Sequence, residues 1–154
     1  MAANRSYKFA GIYELRPTTA EDLDLARRWT MRDPAHAGIL PPSFWLQQDE
    51  GRDSFLLSDD QGPVFFFKMH LESRTAVRIF IQFPPGGSIH FRRASEKRTA
   101  KGLIAGMDWL EKMLAPNGVT EIFFDSASET LISFCVKRLG FVEDGEYLKR
   151  HLAA

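Results

Sequence analysis

The chain has 154 residues, 44% of them hydrophobic and 26% charged, with 20 basic residues balancing 20 acidic ones. That length fits one domain with a core of its own, and the zero formal charge argues against a dedicated nucleic-acid binder. The single cysteine, Cys135, excludes an internal disulfide or a zinc site of paired cysteines; with no apolar run near the about 18 residues of a membrane span and no signal-peptide core at the start, one cytoplasmic domain is expected.

Tyr13, Glu14, Leu15 and Arg16 read as a strand stopped by Pro17. Two overlapping capping boxes follow, Thr18 with Glu21 or Thr19 with Asp22. They predict a helix with Leu23, Ala26 and Trp29 near one face, ended by Asp33-Pro34. Pro42 suits the first position of a short helix, whose Phe44 and Trp45 fit core packing better than a pocket wall. Residues 54–58, 63–71 and 75–83 predict three strands in an antiparallel meander, with a turn at 59–62. In the third, Val77, Ile79, Ile81 and Phe83 share one face, and Arg78, Phe80 and Gln82 the other.

After Pro84 and Pro85 comes a basic run, residues 90–102, leading into a predicted helix over about 96–114. Its stripe is Leu103, Met107, Leu110 and Leu114, and Gly102 and Gly106 leave a flat spot for close approach to the sheet. A helix start presents unpaired N–H groups and the positive end of a dipole. Here Lys97, Arg98 and Lys101 add charge, and Ala100 and Gly102 leave room for a phosphate; a merely solvated helix start competes with that reading. Residues 119–124 predict a strand, and 126–129 a capping box opening a helix to Leu139, with Gly140 just past its end. A hairpin closes the chain, 141–143 and 146–152 about an Asp144-Gly145 turn. The result is a mixed α/β domain of seven strands, with one βαβ crossover in an otherwise antiparallel sheet.

From Tyr13 to Leu152 this order resembles the GCN5-related N-acetyltransferase (GNAT) superfamily, as a divergent member. Lys97-Arg98-Thr99-Ala100-Lys101-Gly102 fits the family's cofactor turn, Q/R-x-x-G-x-G/A, with Lys in the first place and Ala for the first Gly. The stretch from Leu131 to Gly140-Phe141 is similar to the family's closing helix and Gly-Phe exit. The resemblance implies an acyl-CoA N-acyltransferase fold of about seven strands with helices on both faces. It further implies acetyl-CoA as co-substrate and a small-molecule or peptide amine as acceptor. The pantetheine arm is then expected between the strands at 77–83 and 119–125, with Ile81 and Phe83 on the contacting strand. The diphosphate is expected on Lys97, Arg98, Thr99, Ala100, Lys101 and Gly102.

Two departures bear on catalysis. Where many family members carry a tyrosine, four residues before the Gly of Gly-Phe, stands Val136, expected to pack in the core; where an asparagine is usual stands Glu129 or Ser128. Asp125 and Tyr147 are the remaining catalytic candidates, although Asp125 reads more readily as an acid that complements a helix dipole. A thiolate whose parent thiol has a pKa of about 8.5 leaves without a dedicated acid, so acetyl transfer stands beside a non-catalytic binding or regulatory domain of the same fold. A weaker reading, an RNA module using Phe91, Arg92 and Arg93, is opposed by the zero net charge. Segment 33–51, with His36, Phe44 and Trp45 as wall residues, is expected to shape acceptor choice. Gln82 faces substrate or solvent, His90 sits in the basic loop, and Cys135 reads as a packing residue. The oligomeric state stays open, a homodimer included.

Overall fold

The computed structural model describes residues 5–34, 36–85, 94–126 and 128–152, the side chains of 94–96 excepted. Its first two strands, β1 (Tyr7–Phe9) and β2 (Tyr13–Pro17), form a hairpin whose turn holds Ala10 and Gly11 at φ 51° and 80°. β1 is an addition to the seven strands expected, since three residues are too few for an alternation to show. Helix α1 (Leu23–Met31) follows a short 3-10 turn opened by the second of the two capping boxes. There the Asp22 carboxylate accepts from the Thr19 N–H at 2.8 Å. Thr18 instead donates its hydroxyl to the Trp45 carbonyl at 2.8 Å, pinning a second 3-10 turn, Pro42–Leu46.

β3 (Arg52–Asp59), β4 (Gly62–Leu71) and β5 (Ala76–Gln82) make the expected meander. Helix α2 (Ala94–Leu114) crosses back so that β6 (Glu121–Phe124) lies parallel to β5. Helix α3 (Glu129–Arg138) then leads to the hairpin β7 (Val142–Asp144) and β8 (Tyr147–His151), turning one residue later than expected, at Gly145-Glu146. The single sheet runs β1-β2-β3-β4-β5-β6-β8-β7. Ser128, not Ser126, caps α3, its hydroxyl accepting from the Leu131 N–H at 3.3 Å, and Gly140 takes the left-handed conformation expected just past the helix.

β4 is buried without interruption from Val64 to Met69 because both sheet faces are covered. Phe65, Phe67, Met69, Val77 and Ile79 pack with Leu103, Met107 and Leu110 of α2. On the opposite face Leu56 and Phe66 pack with Ala26 of α1 and with Trp45. Each such side chain stabilises the fold by roughly 1.5–3 kcal/mol, so the two cores together fix the strand register. Val136 departs from expectation: Leu131 and Cys135 carry the buried stripe of α3, while Val136 lies off that stripe and is 41% exposed. Among the described residues no helix is long and apolar enough to cross a membrane.

Candidate functional site

β5 and β6 are paired over only three residue pairs, Ala76 with Glu121, Val77 with Ile122 and Arg78 with Phe123. β6 ends one residue later, at Phe124, while β5 continues to Gln82. Ile79, Phe80, Ile81 and Gln82 are therefore held by β4 on one side and, among the described residues, have no strand partner on the other. Backbone N–H and C=O groups seek partners, so the open edge is a ready site for an extended ligand to add hydrogen bonds in strand fashion. It lies at the carboxyl ends of two parallel strands, where α/β sheets bind ligands.

The amides that could meet an anion lie earlier than the sequence motif indicates. α2 begins at Ala94, so among the described residues the N–H groups with no carbonyl of the same helix to bond are those of residues 94–96. The amides of Arg98, Thr99, Ala100, Lys101 and Gly102 lie deeper in the helix, where each is spent on a carbonyl of the preceding turn. Three of these positions, Arg98, Thr99 and Gly102, are also committed elsewhere. Arg98 makes a bidentate pair with Asp59, Nη2 to Oδ1 at 2.6 Å and Nε to Oδ2 at 2.8 Å. That guanidinium holds the Asp59 carboxyl below its usual range, with Gln61 and Gly62 amides adding to the effect. Thr99 is buried, and Gly102 faces the core: a Cβ there would meet Leu57 and Val64 at 3.2 Å and Phe65 at 3.3 Å. The glycine admits the sheet, not a phosphate. Lys97 and Lys101 are exposed, and Lys97 closes the first turn. Phe83, buried at 8%, points into the α2-side core with its ring 6.0 Å from that of Phe65. The loop bearing His90, Phe91, Arg92 and Arg93 lies outside the described residues.

On the face away from α2, the 42–46 turn lies over β4 and β5. Trp45 is fully buried and is core, not a wall. The Phe44 ring stands edge-on to Phe80 at 5.1 Å. Between them Lys68, with no exposure, donates to the Phe44 carbonyl at 2.6 Å and to the Gln47 side chain, its Nζ 3.6 Å above the Phe44 ring. Burial, then the positive charge of Arg52, pushes this amine down to about 8. His70, packed 4.7 Å from Phe80, is pushed down to about 4, chiefly by burial and then by Lys68, Arg52 and Arg78. It is therefore neutral near pH 7. The sequence reading passed over Lys68, although a lone cation in the run Phe65-Phe66-Phe67-Lys68-Met69 was the available signal.

Asp125 and Tyr147, distant in sequence, come together around Arg78 where β5 and β6 part. Arg78 Nη2 donates to Asp125 Oδ1 at 2.9 Å, and its guanidinium carbon sits 4.9 Å from the Phe80 ring centroid and 5.7 Å from that of Tyr147. Tyr147 also stands edge-on to Phe123 at 5.3 Å. Gln82, at the end of β5, is fully buried and bonded to His36, Nδ1 to Oε1, at 2.6 Å. It faces neither solvent nor an empty pocket. Cys135 is buried and its thiol is pushed up to about 12 by that burial, as a packing residue should be.

No protein-family profile and no curated sequence matches the chain. Solved structures do. The ribosomal-protein-S18-alanine N-acetyltransferase from Escherichia coli superposes with a TM-score of 0.64 at 16% identity, over 93% of this chain and 96% of that one. Spermidine N-acetyltransferase from Vibrio cholerae, in complex with CoA and spermine, gives 0.61 at 14% identity over 90% and 95%. AAC(6')-Ib, in complex with paromomycin and acetyl-CoA, gives 0.64 at 15% identity over 91% and 93%. The chain has the fold of the GCN5-related N-acetyltransferases.

Proposed function

We propose that the protein transfers an acetyl group from acetyl-CoA to an amine. The observation that carries this reading is the unpaired edge of β5 beyond Arg78, in a sheet whose fold is that of acetyltransferases. The pantetheine arm fits along Ile79, Phe80, Ile81 and Gln82, adding hydrogen bonds where β6 has ended. The diphosphate belongs at the first turn of α2, on the amides of residues 94–96 with the Lys97 side chain beside them, and not on residues 98–102. Acetyl-CoA supplies an activated thioester, which the amine nitrogen attacks directly. Aligning the two in the cleft supplies much of the barrier lowering, on the order of 7–11 kcal/mol in favourable cases.

Acceptors as different as spermine and paromomycin accompany the structural neighbours, so the fold alone selects none. The face carrying Phe80, Arg78 and Tyr147 is where an acceptor meets the thioester. Val136, which has no proton to give, favours a second reading, a CoA-binding domain without turnover. Calorimetric titration with acetyl-CoA, paired with thiol release over an amine panel, separates the two. Binding with release supports transfer, binding without release supports the second reading, and no binding refutes both.

A further inference from the structure

We propose that His36 is the general base that deprotonates the incoming ammonium, with Gln82 and Asp33 fixing its tautomer and charge. The assignment rests on the acetyl-transfer reading of the same cleft.

The argument starts at the Gln82 amide. Its Nε2 donates twice, to Asp33 Oδ2 at 3.0 Å and to the Phe83 carbonyl at 2.9 Å. Turning the amide over would set three oxygens against one another, so two acceptors decide its orientation. Oε1 is therefore left to accept, and the group 2.6 Å from it, His36 Nδ1, must be the donor. In a neutral imidazole, a proton on Nδ1 leaves the lone pair on Nε2. Gln82 is fully buried and held on the sheet by its place in β5, so the ring it orients is fixed as well.

The second half of the arrangement concerns charge. Asp33 Oδ2 lies 3.4 Å from the same Nδ1. When Nε2 takes a proton, the imidazolium forms beside a carboxylate that stabilises it. A base oriented by a third group is the arrangement that activates nucleophiles elsewhere. The His36 side chain is 23% exposed, and its ring packs 5.7 Å from the Trp45 ring. All of this sits at the end of β5, on the stretch β6 leaves unpaired.

The proton balance is complete. Nε2 of His36 takes one proton from the ammonium, and the freed lone pair forms the N–C bond at the thioester carbon. The C–S bond breaks with its electron pair going to sulfur. The second nitrogen proton passes to the thiolate, giving amide, CoA thiol and protonated His36, which returns its proton to solvent. Gln82 touches no reacting atom and is a positioning residue.

The test uses the full chain with acetyl-CoA and three probe acceptors: spermine, paromomycin and a peptide with an N-terminal alanine. His36→Asn retains an N–H able to reach Gln82 but has no basic ring nitrogen. Its kcat/KM for thiol release is expected to fall about 10²-fold or more, with acetyl-CoA affinity unchanged by calorimetry. Imidazole added to His36→Gly is expected to restore part of the rate, which a merely structural role would not allow. If the wild type turns over and His36→Asn matches it, the base assignment is overturned and acetyl transfer stands. A wild-type protein that binds no acetyl-CoA overturns both.

Discussion

Two glycines of α2 separate a packing role from a ligand role. Gly102 and Gly106 are four residues apart in one helix, and replacing either by alanine gains about 1 kcal/mol in helix propensity. At Gly106 a Cβ meets nothing within 4 Å, so that gain is kept. At Gly102 it would sit 3.2 Å from side-chain carbons of Leu57 and Val64 and 3.3 Å from the Phe65 ring, three buried groups that would all have to shift. Overpacking of this kind costs about 1–3 kcal/mol, which exceeds the gain. Gly106→Ala is therefore expected to be more stable by about 1 kcal/mol, and Gly102→Ala less stable by about 1 kcal/mol. Urea unfolding reads the difference: with a slope of about 2 kcal/mol/M, the midpoints move about 0.5 M in opposite directions. Acetyl-CoA affinity should stay at the wild-type value in both. A Gly102→Ala protein as stable as the wild type, yet unable to bind acetyl-CoA, would refute the reasoning and return this glycine to the phosphates.

Three further outcomes follow from buried charge and burial. Burial lowers the folded-state pKa of Lys68 from 10.5 to about 8, so between those values the folded chain binds fewer protons than the unfolded one and stability rises with pH, by up to about 3 kcal/mol across the window; the rise should be absent from the stability–pH curve of Lys68→Met. Asp59, held low by Arg98, contributes stability that is present above its unfolded pKa of about 4 and lost as pH falls through the folded value; Arg98→Ala should cost about 2 kcal/mol at pH 7 and flatten that acid limb while leaving acetyl-CoA affinity intact. Cys135, with its thiol pushed up to about 12, should resist iodoacetamide at pH 8 in the native protein and react promptly in urea; native labelling at a free thiol's rate would contradict its burial.

What the sequence made legible was whatever repeats locally. The meander, the α2 stripe and the turn at Gly140 each depend on residues a few places apart, and the structure has all three. The Lys97–Gly102 motif misled because a glycine admits a phosphate and a sheet for the same reason, the missing Cβ. Only the position of Leu57, Val64 and Phe65 tells the two apart, and those lie 37 to 45 residues away in the sequence. His36 and Gln82 pose the same problem over 46 residues. Their contact joins two segments that local sequence keeps apart, so His36 read as a wall residue and Gln82 as one facing substrate or solvent.

The cleft itself arises from a mismatch in strand length that no single segment shows. The stretch from Val119 to Phe124 reads as a six-residue strand, which would pair β5 for most of its length. In the structure Val119 and Thr120 instead form the approach to β6: Thr120 N–H donates to the Thr75 carbonyl at 2.8 Å, just before β5 begins, and Leu152 N–H donates to the Thr120 carbonyl at 2.9 Å. β6 is thereby anchored at the start of β5 and spans only four residues, while β5 spans seven. β8 pairs with the other edge of β6 through Phe124 and Leu148, and the chain turns into α3 before it can follow β5 further. Four residues of β5 are left with an open edge for that reason alone. Lengthening the β6 pairing would close the gap, so a ligand that adds to this edge does so because the hydrogen bonds at residues 119 and 120 are spent one step too early.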